Sequence, residues 1–404
     1  MKFTRRRLGL GTLGLALAGL STGAAHSLRR RFLFVHAEGG WDPLCVFAPL
    51  FDSPQIDMEP ETAPLSIGNF SLVDSPGRPA ARAFFEKWGS QTLLLNGIST
   101  RSVNHETCQA VALTGSTSDA GADWATMLAA AQEQSYYLPH LVLNGPSFPG
   151  AYNIVVNRAE GALQPTVHGD LLELTDVPLE QPSDGARALV DDYLATRVEQ
   201  FGATNDLARA HQSAVNRSRA LTDAKELIDF PAADSLATRA SNAIGMLADG
   251  VTRCATLSTE FVWDTHTNNA EQTPLFQELF TELDVILATL ASTKSAEGTL
   301  LSEDTVVVVL SEMARTPAFN ATQGRDHWPY TSAMIIGPGI QGNRTIGAFN
   351  DVYAGIGVDP KTGDLDSNRV GIDAPMLGAT LLALGDVDPG QFLKNPEVVE
   401  GVLT

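Results

Sequence analysis

The chain of 404 residues is 44% hydrophobic and 18% charged, the proportions of a packed globular protein rather than a disordered one. Its 47 acidic residues against 27 basic ones give a formal charge of −20, which argues against a general binder of nucleic acid or of anionic membranes. That length has room for one large α/β domain or two ordinary ones.

The N-terminus reads as a targeting segment. Thr4-Arg5-Arg6-Arg7-Leu8 is a twin-arginine pattern, and an uncharged, glycine-diluted apolar stretch follows from Leu8 to Leu20. Gly23 and Ala25 place small residues before a cleavage after Ala25, and the apolar stretch is too short to span a membrane. With no cysteine near the cut, a lipid anchor is not expected. The expectation is export by the twin-arginine translocase to the periplasm or beyond, with no stable membrane span in the mature chain. Residues 1–25 are removed, and residues 26–404 form one α/β domain. Gly9-Leu10-Gly11-Thr12-Leu13-Gly14 and Gly19-Leu20-Ser21-Thr22-Gly23 match a dinucleotide fingerprint and a nucleophile elbow. Both fall inside this segment with no strand before them and are discounted. The three cysteines, Cys45, Cys108 and Cys254, form no CxxC and suggest buried small hydrophobes rather than a disulfide framework.

Arg31 to His36 is the first expected strand, broken by Gly39 and Gly40 so that Asp42 lies just past its end. Residues 52–78, rich in Pro, Gly, Asp and Ser, read as a surface excursion. A helix is expected from Pro79 to Trp88 and a strand from Thr92 to Gly97. Asn104 is an N-cap and Gly115 a C-terminal stop, so His105 and Glu106 sit in the first turn of a helix between them. A helix from Asp123 and a strand from His140 to Asn144 follow. Residues 150–182 read as irregular and Gly185 to Ile228 as two polar helices. Ser235 to Asp249 is a further helix, which makes 150–250 a largely helical insertion or cap.

Cys254 to Trp263 returns to strand and ends in Asp264-Thr265-His266. The helix opened by Thr273-Pro274 carries Phe276, Leu279, Phe280, Leu283, Ile286 and Leu290 on one face. Val306 to Leu310 is a continuous apolar run of the kind a buried parallel strand shows. It stops at Ser311-Glu312-Met313-Ala314-Arg315, and the next apolar run, Ala333 to Ile336, is preceded by Asp326-His327-Trp328. An extended piece near Arg344–Phe349 and a helix from Ala374 to Leu384 complete the chain. Strands alternating with helices predict a doubly wound, mainly parallel sheet.

Oxygen and imidazole donors therefore stand at four strand ends: Asp42, Asp264 with His266, Glu312, and His327. Zn, Mn, Mg or Ca ions need such converging lone pairs. Alternatives stay open at several positions. His105 either caps its helix or takes part in a site. Arg315 binds an anion or satisfies carbonyls of its own turn. Asp326 can orient a ligating imidazole. His36 and His140 read as structural. Trp41, Trp263 and Trp328 either wall a pocket or pack.

The motifs GGWDPL, WDTH, LSEMARTP and GRDHWP resemble the twin-arginine-exported proteins of the domain-of-unknown-function 1501 family, which is grouped with the alkaline phosphatase and sulfatase superfamily. The resemblance implies a sheet of the alkaline-phosphatase-like type with a divalent metal at the carboxyl ends of its strands. It assigns Asp42, Asp264, His266, Glu312 and His327 to the metal. Met313 stands where a second-metal histidine would, and His105 where a nucleophilic Ser or Thr would. These departures imply one dominant metal and direct attack by water, with His105 as general base or as an outer anchor of the site and Arg315 as the other catalytic residue. The expected activity is hydrolysis of a phosphate, sulfate or related ester, of a small molecule or a glycan. The rival reading is a superfamily member that has lost catalysis and serves binding or assembly at the cell envelope.

Overall fold

A computed structural model describes residues 30–118, 120–132, 136–159, 183–201 and 233–404. The segment expected to direct export, most of the region read as irregular and the second expected polar helix lie outside the described residues. Twelve strands are described: β1 Arg31–Glu38, β2 Ala63–Ile67, β3 Phe70–Asp74, β4 Thr92–Ser99, β5 His140–Val142, β6 Val156–Arg158, β7 Cys254–Phe261, β8 Thr305–Leu310, β9 Ala314–Arg315, β10 His327–Trp328, β11 Tyr330–Ile336 and β12 Arg344–Ile346. The helices are α1 Pro79–Trp88, α2 His105–Thr114, α3 Trp124–Ala130, α4 Asp184–Phe201, α5 Leu236–Ala248, α6 Gln272–Ser292 and α7 Ala374–Leu384. Among the described residues no helix is long and apolar enough to cross a membrane.

Eight strands form the central sheet in the order β12-β4-β11-β8-β1-β7-β5-β6. All neighbouring pairs are parallel except those of β11, which runs antiparallel to both β4 and β8. The fold is thus α/β with a mostly parallel sheet, as expected, and the reversal of β11 adds a feature that matters for the site. A strand running backwards brings its N-terminal end, just after His327, to the edge where the parallel strands end.

Strand alternation sorts β1 between two cores. Leu33, Val35 and Ala37 pack with α1, α5 and α6, while Phe32 and Phe34 pack with α2, α3 and α7. Val306 to Val309 of β8 are fully buried, which explains why that run is apolar on both faces. On α6 the expected face, Phe276 to Leu290, is buried throughout. Trp41 and Trp263 join it: Phe276 stacks on Trp41 at 6.0 Å and meets Trp263 edge-on at 4.8 Å. Trp328 donates to the Tyr353 carbonyl at 2.7 Å, so all three tryptophans are packing residues.

The surface excursion contains a hairpin, β2 paired with β3. Its turn, Gly68-Asn69, and the proline in β2 read as loop in isolation. The cysteines are all free and buried, as expected. His140 is fully buried between the hydroxyls of Thr126 (3.0 Å) and Thr256 (2.8 Å), a structural role.

Candidate metal centre

Four elements bring the donors together. Asn104 accepts from the Thr107 amide at 3.0 Å and starts α2, and Gly115 ends it in the left-handed region at φ 73°. This cap fixes His105 as the first helical residue, facing the end of β8. Asp264 and His266 follow β7. His327 is held opposite Arg315 by the two-residue pairing of β10 with β9. Gly39 and Gly40, at φ 110° and 84°, carry the chain after β1 through a turn open to glycine alone. A Cβ on Gly39 would lie 2.8 Å from the Asp264 amide nitrogen.

One oxygen is the hub. Asp264 Oδ1 lies 3.1 Å from His266 Nε2, 3.3 Å from His327 Nε2, 3.5 Å from His105 Nε2 and 2.7 Å from Arg315 Nη2. His105, Asp264 and His327 each bring one donor atom within 4.8 Å of the others. His266 stands beside this trio rather than within it, its Nε2 2.9 Å from that of His327.

The opposite nitrogen of every ring is tied to an oxygen. His105 Nδ1 meets Glu312 Oε1 at 2.8 Å, His266 Nδ1 meets Asp326 Oδ1 at 3.0 Å, and His327 Nδ1 meets the Val103 carbonyl at 2.6 Å. A carbonyl only accepts, so His327 carries its proton on Nδ1, and the carboxylates favour the same tautomer in the other two. Three Nε2 lone pairs then face one carboxylate oxygen. His105 Nε2 is buried with no hydrogen-bond partner, its 3.5 Å to Asp264 being too long for one.

A cation would resolve this arrangement, and the trio of His105, Asp264 and His327, with His266 beside it, has the imidazole-rich chemistry that suits a transition ion better than a hard, oxygen-seeking one. Oxygen partners behind each imidazole are the usual device for orienting such ligands. Burial is the largest influence on His327 and lowers its pKa, with His105 and Arg315 adding to the effect, so the ring stays neutral and able to bind. At Asp264 burial pulls the pKa upward, but the hydrogen bond and charge of Arg315, with His266 and His105, outweigh it and hold the carboxyl below its usual range.

The structure reassigns three expected site residues. Asp42 is fully buried and turned away. Its Oδ1 accepts from the Leu44 amide at 3.0 Å, and its Oδ2 accepts from Asn269 at 2.8 Å and forms an ion pair with Arg325 at 3.1 Å. Both lone-pair edges are committed, so it braces the loop instead of binding an ion. Glu312 sits behind His105, also accepting from the Gly39 amide at 2.9 Å, with Ser311 Oγ 3.2 Å from its other oxygen. It orients the imidazole, and His105 takes the donor position expected of Glu312. Arg315, fully buried, donates to the carbonyls of Gly39, Gly40 (2.8 Å) and Arg325 (3.3 Å) and to Asp264, which leaves it no face for a substrate anion. Asp264, His266 and His327 are at the cluster, and Asp326 stands behind His266. The Val103 carbonyl had no sequence signal, because a backbone acceptor is the same at every residue.

Residues 175–369 match the family described as protein of unknown function (DUF1501), the family that the motifs of the chain resemble. No curated protein matches the sequence. Among solved structures, the chain is similar to the alkaline phosphatase of the Antarctic bacterium TAB5 at 12% identity and TM-score 0.36, covering 89% of this chain and 99% of that one. It is similar to the lipoteichoic acid synthase LtaP of Listeria monocytogenes at 8% identity and TM-score 0.41, covering 92% and 74%. It is also similar to the PsFucS1 sulfatase of Pseudoalteromonas sp. at 9% identity and TM-score 0.38, covering 93% and 76%.

Proposed function

We propose, from the match to a family of unknown function and the donor set at the sheet edge, that this chain is an exported hydrolase of phosphate, sulfate or related esters. It depends on one divalent transition metal held by His105, Asp264, His266 and His327. The observation that carries this reading is the arrangement of the three imidazoles, each with Nδ1 on an oxygen and Nε2 toward Asp264 Oδ1. When bound, such an ion supplies Lewis acidity to an ester oxygen and acidifies a coordinated water.

The chain's own residues do the positioning. Glu312, Asp326 and the Val103 carbonyl fix the three rings, and Arg315 locks the Asp264 carboxylate against the turn of Gly39 and Gly40. His105 has both nitrogens engaged in this scheme, which removes the general-base role expected from sequence. As the first residue of α2 it also offers no hydroxyl to form a covalent intermediate, which supports water as the nucleophile.

The test is elemental analysis of purified mature protein with a panel of phosphate, sulfate and carboxylate esters. About one transition metal per chain and turnover that a chelator abolishes are expected. His327→Ala should lose both. Retention of metal by that variant, or no turnover by any metal-loaded form, would turn the reading to a binding or assembly role. For export, motivated by Arg5-Arg6, replacing both arginines by lysine should leave precursor in the cytoplasm. Normal export of that variant would exclude the twin-arginine route.

A further inference from the structure

Charge at the centre narrows the substrate class, provided that the hydrolase reading holds. Among the described residues Arg315 is the guanidinium that touches the donor cluster, and its nitrogens are spent on Gly39, Gly40, Arg325 and Asp264. Arg325, farther out, is buried, donates to the carbonyls of Thr316 and Asp57 and is ion-paired with Asp42. Neither is free to grip the outer oxygens of a doubly charged phosphate. Three carboxylates, Asp264, Glu312 and Asp326, stand against the single charge of Arg315, a net of two negative charges that one divalent ion cancels. A neutral centre favours a neutral or singly charged ligand over a dianion.

An apolar side chain stands beside the centre. Glu260, at φ 67°, turns the chain at the end of β7, and the next residue, Phe261, is 51% exposed although its ring meets His105 edge-on at 4.8 Å. The ring therefore puts an exposed apolar face beside the His105 side of the centre, and covering that face is favourable.

We propose that the centre takes a neutral or singly charged ester whose apolar group lies across Phe261. Sulfate monoesters, phosphodiesters and carboxylic esters with an alkyl or aryl substituent fit; phosphate monoester dianions do not.

The experiment measures, by calorimetry on the Co(II)-loaded mature protein, the affinity of straight-chain acyl hydroxamates from acetyl to octanoyl, and of inorganic phosphate. Hydroxamates chelate the ion without turnover, so the readout is independent of hydrolysis. Affinity should rise about two- to fourfold per added methylene. Phe261→Ser should remove most of that rise, and Phe261→Leu should keep it. Phosphate should bind more weakly than octanohydroxamate. An affinity independent of chain length, a rise that survives in Phe261→Ser, or a preference for phosphate would each overturn the substrate proposal while leaving the centre intact. Failure of the protein to retain Co(II) would overturn the hydrolase reading beneath it.

Discussion

Replacing Glu312 by glutamine separates its role behind His105 from the role of a metal ligand. The carboxylate is buried and its Oε1 receives two donors, Gly39 N at 2.9 Å and His105 Nδ1 at 2.8 Å, while Oε2 lies 3.2 Å from Ser311 Oγ. A glutamine oxygen in place of Oε1 keeps the first two bonds. Its amide group meets only Ser311, whose hydroxyl donates to the Ala37 carbonyl at 2.6 Å and leaves its oxygen free to accept from the amide. The fold should therefore survive, while the bond to His105 drops from charge-assisted to neutral and loses about half its strength. Loss of such an orienting partner lowers metal affinity roughly 10- to 100-fold, about 1.4–2.8 kcal/mol. Glu312→Ala should cost more, because it strands the Gly39 N–H and the His105 Nδ1–H at about 1–3 kcal/mol each. The assay is competition against a chelator of known affinity, with stoichiometry from elemental analysis and Tm of the metal-free protein. Loss of stoichiometric binding in the glutamine variant would make Glu312 a ligand. An unchanged affinity would refute its coupling to the centre through His105.

Acid should destabilise the protein through His36, whose burial depresses its pKa from 6.5 to about 4. The unfolded chain then takes up the proton first, so this contribution is whole above about pH 6.5 and lost as pH falls to about 4, an effect of roughly 3 kcal/mol. Equilibrium unfolding across that range should show the slope, and His36→Asn should flatten it; His140, lowered in the same direction, leaves a remainder. Gly39→Ala forces a Cβ against the Asp264 amide at a positive φ and should cost at least about 1–3 kcal/mol along with metal affinity. Wild-type Tm in that variant would contradict the strain. Phe276→Ala should cost about 3–5 kcal/mol by denaturant titration with one metal still bound, since the aromatic cluster lies beneath the centre and not in it. Loss of the metal from folded Phe276→Ala would show the two to be coupled.

Much of the frame is local and was legible from residues alone. The bounds of α2 follow from Asn104 and Gly115, those of α1 from Pro79 and Gly89, and the buried face of α6 from its helical period. The all-apolar Val306 to Leu310 identified a strand covered on both faces. Caps, periods and apolar runs involve neighbours in the chain, so their physics is written in short windows of sequence. The donors at the ends of β7 and β8 were visible for the same reason. Their division of labour was not. Whether Asp42 turns toward an ion or toward Arg325, and whether Glu312 or His105 faces the centre, depends on side-chain direction at a meeting of distant segments. The reversal of β11 delivers His327 to the carboxyl edge, yet its residues read the same in either direction, because a buried strand has the same composition parallel or antiparallel. Asn104 and the apolar runs set the elements; only the packed sheet decided which oxygen each imidazole leaves behind it and which it faces.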